Sequence, residues 1–308
     1  MNDTLRNQKS TIDPELLTAI SNLTIKVRRV VEGLQGGAHR SPHLGASVEF
    51  AEHKRYSPGD DIRNIDWRAL ARTDRYFVKQ HQREVILRSI LALDCSASMG
   101  YRGSRAGNDK LGFSVELLGA IAHILVRQGD AAGLMTFDAH PTQFIPPLRR
   151  PDHLTVLMRH LASAKPVDGE KTGFPEAIAQ IAEYIGRPAM AIFATDLWEA
   201  KRDTEIALAR LAARGHDVIV FYVLDPDEID LPFDQLCRFR GLEGNLATEA
   251  DPALIRDDYR KEIDALRGRW QRVCGEAGID FVFAPTDRPV PAVLSDFIMR
   301  RQNQGRRL

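Results

Sequence analysis

From residue 85 onward, short apolar runs alternate with amphipathic segments, the pattern of strand-helix-strand units that build a parallel sheet. The runs at 85 to 93, 131 to 137, 188 to 195, 217 to 224 and 279 to 284 carry Val, Ile, Leu and Phe with almost no charge, as strands covered on both faces should. A weaker run at 142 to 145 reads as an edge strand. Helical spacing predicts helices at 109 to 128, 151 to 163, 174 to 185, 201 to 214, 254 to 277 and 290 to 300. In the first of these Leu111, Val115, Leu118, Ala122 and Leu125 share one face, and Gly129 stops the helix. The fold class expected is α/β, with a doubly wound, mostly parallel sheet.

The N-terminal part reads differently. Asp13 is a good N-cap, Pro14 suits the first helical position, and Gly36 and Gly37 can end a helix over 13 to 35. Leu16, Ile20, Leu23, Val27, Val30 and Leu34 form a stripe on it that something must cover. A Gly, His and Ser rich connection then leads into a strongly charged segment with little core-forming pattern, which is not expected to fold alone. The expected division is an N-terminal helix and charged wrapping segment over 1 to 84, the sheet domain over 85 to 300, and a solvated basic tail over 301 to 308. Within the charged segment Arg63 and Arg68 are expected to meet Asp60, Asp61 and Asp66, with Trp67 as an anchor to the main domain. The other reading of this stretch is a partner-binding surface.

Composition narrows the classes. The 42 basic and 42 acidic residues of the 308-residue chain balance, against a basic face for nucleic acid. Cys95, Cys237 and Cys274 are scattered and form no CxxC pair, so neither a disulfide framework nor a zinc knuckle is suggested. No run approaches the roughly 18 apolar residues of a membrane span, and MNDTLRNQKS is polar where a signal peptide is apolar. No membrane span and a cytoplasmic location are therefore expected.

The candidate chemistry lies at strand ends. The run ILALD ends in Asp94, followed by Cys95, Ser96, Ala97 and Ser98, and doubly wound sheets place ligands beyond the carboxyl ends of their strands. The run near 188 to 195 ends in Asp196, and the loop GEKTGFPEAI puts Thr172 just before a helix started by Pro175 and Glu176. Hydroxyls and carboxylates without histidine or cysteine suit Mg²⁺ or Mn²⁺ rather than zinc. If the hydroxyls ligate and Asp94 and Asp196 act largely through water, the ion keeps positive charge and an open position, and it would seek a carboxylate from outside. The alternative is that these loops close on hydrogen bonds with no metal.

Other sites find less support. Asp138, Asp225 and Asp227 also follow strands but lack hydroxyl companions and read as turn residues, while His153 and His160 read as surface residues of one helix. There is no GxxxxGK[ST], GxSxG or HExxH motif, and Cys95 has no histidine nearby in sequence, so no catalytic residue is assigned. A Mg²⁺-dependent phosphatase-like hydrolase using Asp94 is the alternative, but Ser96 stands where such an enzyme would need a second aspartate as general acid.

The Asp-x-Ser-x-Ser, Thr, Asp arrangement resembles the metal-ion-dependent adhesion site of von Willebrand factor A domains, which have this Rossmann-like fold. Glu49-Phe50, the run from Arg55 to Trp67 (RYSPGDDIRNIDW), Ala71-Arg72-Thr73, Gly215-His216-Asp217-Val218 and Asp225-Pro226-Asp227-Glu228 resemble the bacterial domain-of-unknown-function family 58 over about residues 20 to 300. This resemblance implies that Asp94, Ser96, Ser98, Thr172 and Asp196 hold the metal. It implies a partner as well, a MoxR-type AAA+ ATPase, with this chain a non-enzymatic adaptor or co-chaperone acting on a client protein. Lys171 departs from the small or glycine residues usual beside the threonine, placing an ammonium near the ion. Some relatives carry membrane helices before this region, and none is expected here.

Overall fold

The computed structural model describes residues 14–37, 53–57, 67–73, 75–79, 87–167, 173–186, 188–197, 202–242 and 247–306. In chain order the elements are α1 (Pro14–Gly37), β1 (His53–Arg55), α2 (Trp67–Thr73), β2 (Phe77–Lys79), β3 (Arg88–Asp94), α3 (Lys110–Arg127), β4 (Ala131–Phe137) and β5 (Pro141–Leu148). Then follow α4 (His153–Ser163), α5 (Phe174–Tyr184), β6 (Met190–Thr195), α6 (Arg202–Ala213), β7 (Asp217–Leu224) and α7 (Pro226–Asp230). The last are β8 (Cys237–Arg240), β9 (Ala247–Ala250), α8 (Pro252–Glu276), β10 (Asp280–Pro285) and α9 (Val290–Asn303). A short 3₁₀ turn, Ala97–Gly100, follows β3.

The six strands expected from apolar runs form one sheet in the order β10-β7-β6-β3-β4-β5, parallel except for β5, which runs antiparallel to β4 at the edge. β4, β6 and nearly all of β3 and β7 are buried, so each needs apolar side chains on both faces, which is why they read as continuous runs without alternation. On one face α1, α3, α4 and α9 pack around Leu91, Leu93, Phe221 and Leu294. On the other α5, α6 and α8 cover Ile90, Phe193, Val220 and Tyr222, with Phe174 stacked on Phe137 and Trp270 fully enclosed. This is the doubly wound α/β arrangement that the periodicity predicts.

The boundary after the first helix is corrected. The chain divides into one unit of residues 1 to 40 with 87 to 308 and a second of 41 to 86, so α1 belongs with the sheet and not with the charged segment. The cause is the stripe itself: Val27 and Val30 are buried in the core beneath α1, and a Cβ at Gly119 of α3 would stand 3.0 Å from Val27. In the other unit β1 pairs antiparallel with β2, and Trp67 opens α2. The carboxylates Asp60, Asp61 and Asp66 lie outside the described residues, with Arg63, and so do the side-chain surroundings of Arg68.

The basic tail is corrected as well. α9 runs through Asn303, and Arg301 is buried between Asp217 and Asp280, which begin β7 and β10. An arginine beside two strand-starting carboxylates has a reason to fold back that its neighbours in sequence do not show. His153, expected on the surface, is buried at the start of α4, while His160 faces Gln143 at 2.9 Å. The hairpin β8-β9 and the short α7 were not expected from periodicity, being too short to show any.

Candidate functional site

β3 is hydrogen-bonded to β4 and β6 along its length, which carries Asp94 to the carboxyl edge at the centre of the sheet, fully buried. One Asp94 oxygen, Oδ1, accepts the backbone N–H of Ser96 at 2.9 Å, an Asx turn that takes the chain off the strand. Met99 N–H then donates to the Ser96 carbonyl at 3.0 Å, tightening the 3₁₀ turn. The result is that the Ser96 and Ser98 hydroxyls face one another at 3.1 Å, both buried. Asp94 Oδ2 accepts the hydroxyl of Thr195, the last residue of β6, at 2.6 Å. Thr195 in turn accepts the N–H of Leu197 at 3.1 Å, and this fixes the chain around Asp196, which is buried too.

Four of the five expected ligands, Asp94, Ser96, Ser98 and Asp196, thus lie at the carboxyl ends of adjacent strands. Thr172 and Lys171 lie outside the described residues. The chain on either side of them is placed: Val167 N–H donates to the Cys95 carbonyl at 2.8 Å, and Gly173 N–H to the Asp138 carbonyl at 2.6 Å. Gly173 has no room for a side chain, since a Cβ there would sit 2.0 Å from the Ala139 carbonyl oxygen.

Sequence reasoning missed Lys110. Its ammonium is fully buried at the first turn of α3 and donates to Asp196 Oδ2 at 2.8 Å and to Glu228 Oε1 at 2.6 Å. Burial alone would lower its pKa, but the charges of Asp196 and Glu228 outweigh burial and hold it above the ordinary lysine value. A lysine next to the N-cap Asp109 opposes the helix macrodipole, and that local conflict was the available signal. Glu228 was also missed; burial raises its pKa, against the pull of Lys110.

Asp225 and Asp227 are more than turn residues, and their hydroxyl companions come from distant parts of the chain. Asp225 caps α7 through Asp227 N–H at 2.8 Å and accepts Gly103 N–H at 2.8 Å and the Thr286 hydroxyl at 3.3 Å. Asp227 accepts Ser104 N–H at 2.8 Å and pairs with Arg105 at 3.0 Å. Together they bind the loop that follows the serines. A Cβ at Gly103 would lie 2.2 Å from Asp225 Oδ1, so only glycine fits. Asp138, by contrast, closes a turn by accepting His140 N–H at 3.1 Å.

Burial first, and then the charge of Asp196, push the Asp94 carboxyl up to about 7, although bonds from Thr195 and Ser96 pull it down. Burial and the nearby Asp94 raise the Cys95 thiol to about 12, which keeps it protonated and unreactive. Among the described residues no group of three or more His, Cys, Asp or Glu side chains could hold a metal by itself. The hydroxyl-rich set is a different kind of site. Neighbouring ligands of an octahedral ion at about 2.1 Å are separated by about 3.0 Å, and the Ser96 and Ser98 oxygens are 3.1 Å apart. The donors present therefore fit a small, hard cation.

A family model matches residues 52–269, more than half of the chain. The chain belongs to the family described as "Protein of unknown function DUF58". An uncharacterized protein of Mycobacterium tuberculosis is 27% identical over 293 residues, 94% of this chain and 91% of that one. Among solved structures, an aerotolerance-related membrane protein from Bacteroides fragilis is 18% identical, covering 71% of this chain and 99% of that one with a TM-score of 0.48. Proximal thread matrix protein 1 from the mussel byssus, with a zinc-occupied MIDAS motif, is 16% identical over 45% of this chain and 38% of that one, with a TM-score of 0.36. The solved structures similar to this DUF58 chain also include the vWF domain of a pilus tip protein from Porphyromonas gingivalis, 11% identical over 36% of this chain and 38% of that one, with a TM-score of 0.29. None of these proteins brings evidence of an enzymatic activity. The cytoplasmic location expected above is withdrawn, because the similar solved structures include proteins named as membrane proteins. No described helix is long and apolar enough to cross a membrane, which is no evidence for the cytoplasm.

Proposed function

We propose that the carboxyl edge of β3 and β6 binds one Mg²⁺ or Mn²⁺ ion and that the protein uses it to hold an acidic side chain of another protein. The Ser96, Ser98 and Thr172 hydroxyls would be direct ligands. Asp94 and Asp196 would act through water, since Asp94 already spends both oxygens on Ser96 and Thr195. When bound, the ion supplies positive charge and an open position that an outside carboxylate completes with a charge-assisted contact. The observation that carries this reading is the pair of buried hydroxyls 3.1 Å apart beside the two buried carboxylates Asp94 and Asp196.

The same geometry favours an interaction module over an enzyme. An Asp94 whose two oxygens are both engaged is a poor nucleophile, Ser96 offers no acid to a leaving group, and the Cys95 thiol stays protonated. The family likeness suggests the partner: a MoxR-type AAA+ ATPase, with this chain as adaptor or co-chaperone toward a client protein. Affinity capture of that ATPase by the full chain tests the reading. Capture should be lost in excess chelator and weakened in Ser98→Ala, Thr172→Ala and Asp196→Ala while circular dichroism shows folded protein. Unchanged capture under all these conditions would place the contact elsewhere, and the Arg55 to Trp67 stretch would be the next surface to test.

A further inference from the structure

We propose that Lys110 is a resident cation that tunes the affinity of this site for its metal, a positioning residue whose role rests on the metal reading above. Its ammonium is wholly buried, and its two acceptors are different in kind: Asp196, a candidate ligand, and Glu228, which belongs to the capping box of α7. A lysine that only filled space would carry its charge to the surface, because burying an ammonium is costly unless carboxylates surround it. Here it stands in the first turn of α3, where the helix dipole opposes it, and is held there by carboxylates of two different strand ends.

Two consequences follow from the charges. Lys110 offsets one of the three carboxylates Asp94, Asp196 and Glu228, so an incoming cation meets a weaker field than the carboxylates alone would make. It also commits one oxygen of Asp196 to a bond at 2.8 Å, so the aspartate is shared between a fixed cation and an exchangeable one. Glu228 works in the opposite sense. By drawing the ammonium at 2.6 Å it relieves Asp196 and adds negative charge behind the site. Affinity would then be moderate and adjustable through α7, whose capping box contains Glu228 and whose carboxylates Asp225 and Asp227 bind the loop at Gly103 and Ser104.

Mn²⁺ titration of the full chain, read by the paramagnetic signal of free ion, separates this role from a structural one. Lys110→Met should tighten Mn²⁺ binding by about tenfold or more, and Glu228→Gln should weaken it by a factor of roughly three to ten. Loss of order would move both variants the same way, so opposite signs are the signature. Equal affinity in wild type and a folded Lys110→Met, or weaker binding in that variant, overturns the proposal. Should Lys110→Met fail to fold without metal, Glu228→Gln, shown by circular dichroism and denaturant unfolding to be as ordered as wild type, decides alone: weaker binding supports the proposal and unchanged binding overturns it. A wild type that binds no Mn²⁺ removes the metal reading, and this proposal with it, a result distinct from unaltered affinity in the variants.

Discussion

Two ionic clusters, each around one buried cation, lie at opposite edges of the same sheet, and they are built on different principles. At the amino edge Arg301 pairs with Asp217 and Asp280, and Arg306 lies 3.5 Å from Asp280, so two arginines meet two carboxylates. At the carboxyl edge Lys110 is the one buried cation among the described residues at Asp94, Asp196 and Glu228. The first cluster is closed. It fastens α9 to the starts of β7 and β10, and nothing in it asks for a ligand. The second buries Asp94, whose carboxyl is lifted to about 7 by burial first and then by the charge of Asp196, and sets the Ser96 and Ser98 hydroxyls 3.1 Å apart beside it. Burial of charge alone therefore does not mark a site; on the proposed reading, oriented hydroxyls beside the buried carboxylates do.

The comparison can be broken first where the effects are largest. Lys110→Met leaves Asp196 and Glu228 buried without their cation and should cost about 3 to 5 kcal/mol of stability in denaturant unfolding. Saturating Mn²⁺ should return part of that loss through binding to the folded state. Arg301→Met should cost about 3 kcal/mol, nearer the low end because Asp217 and Asp280 keep some contact with water, and Mn²⁺ should return none of it. Mn²⁺ affinity unchanged by Arg301→Met would sharpen the distinction, and a shift as large as that from Lys110→Met would erase it. Asp225→Ala removes the cap of α7 and the acceptor of Gly103 N–H and should cost about 1 to 2 kcal/mol. The smallest effect belongs to the exposed pair of Arg288 and Asp296, where Arg288→Ala should change stability by less than about 1 kcal/mol.

The same contrast explains how much of the molecule was legible beforehand. The sheet was legible because each central strand is buried on both faces and must be apolar throughout, and the main helices because each buries a single stripe. At the candidate site, the positions of Asp94, Ser96, Ser98 and Asp196 were legible because they follow the ends of such strands. Lys110, Glu228, Asp225 and Arg301 were not, since the partners that tie them to other elements are 21 to 122 residues away in the chain and no periodicity records such a long-range contact. α1 was read as a helix but assigned to the wrong neighbour, because a stripe shows that a face is covered without showing by what. Local conflicts were the usable hints: a lysine opening a helix, and a fixed glycine at position 103 between charged or polar neighbours.

The central claim, that the carboxyl edge of β3 and β6 holds one divalent ion, is most directly tested by isothermal titration calorimetry of the full chain with Mg²⁺ and with Mn²⁺. Wild type should show a single site, and Asp94→Ala, folded by circular dichroism, should show none, because Asp94 both orients the Ser96 turn and supplies charge to the site. Equal binding in wild type and Asp94→Ala, or no binding in either, would contradict the account.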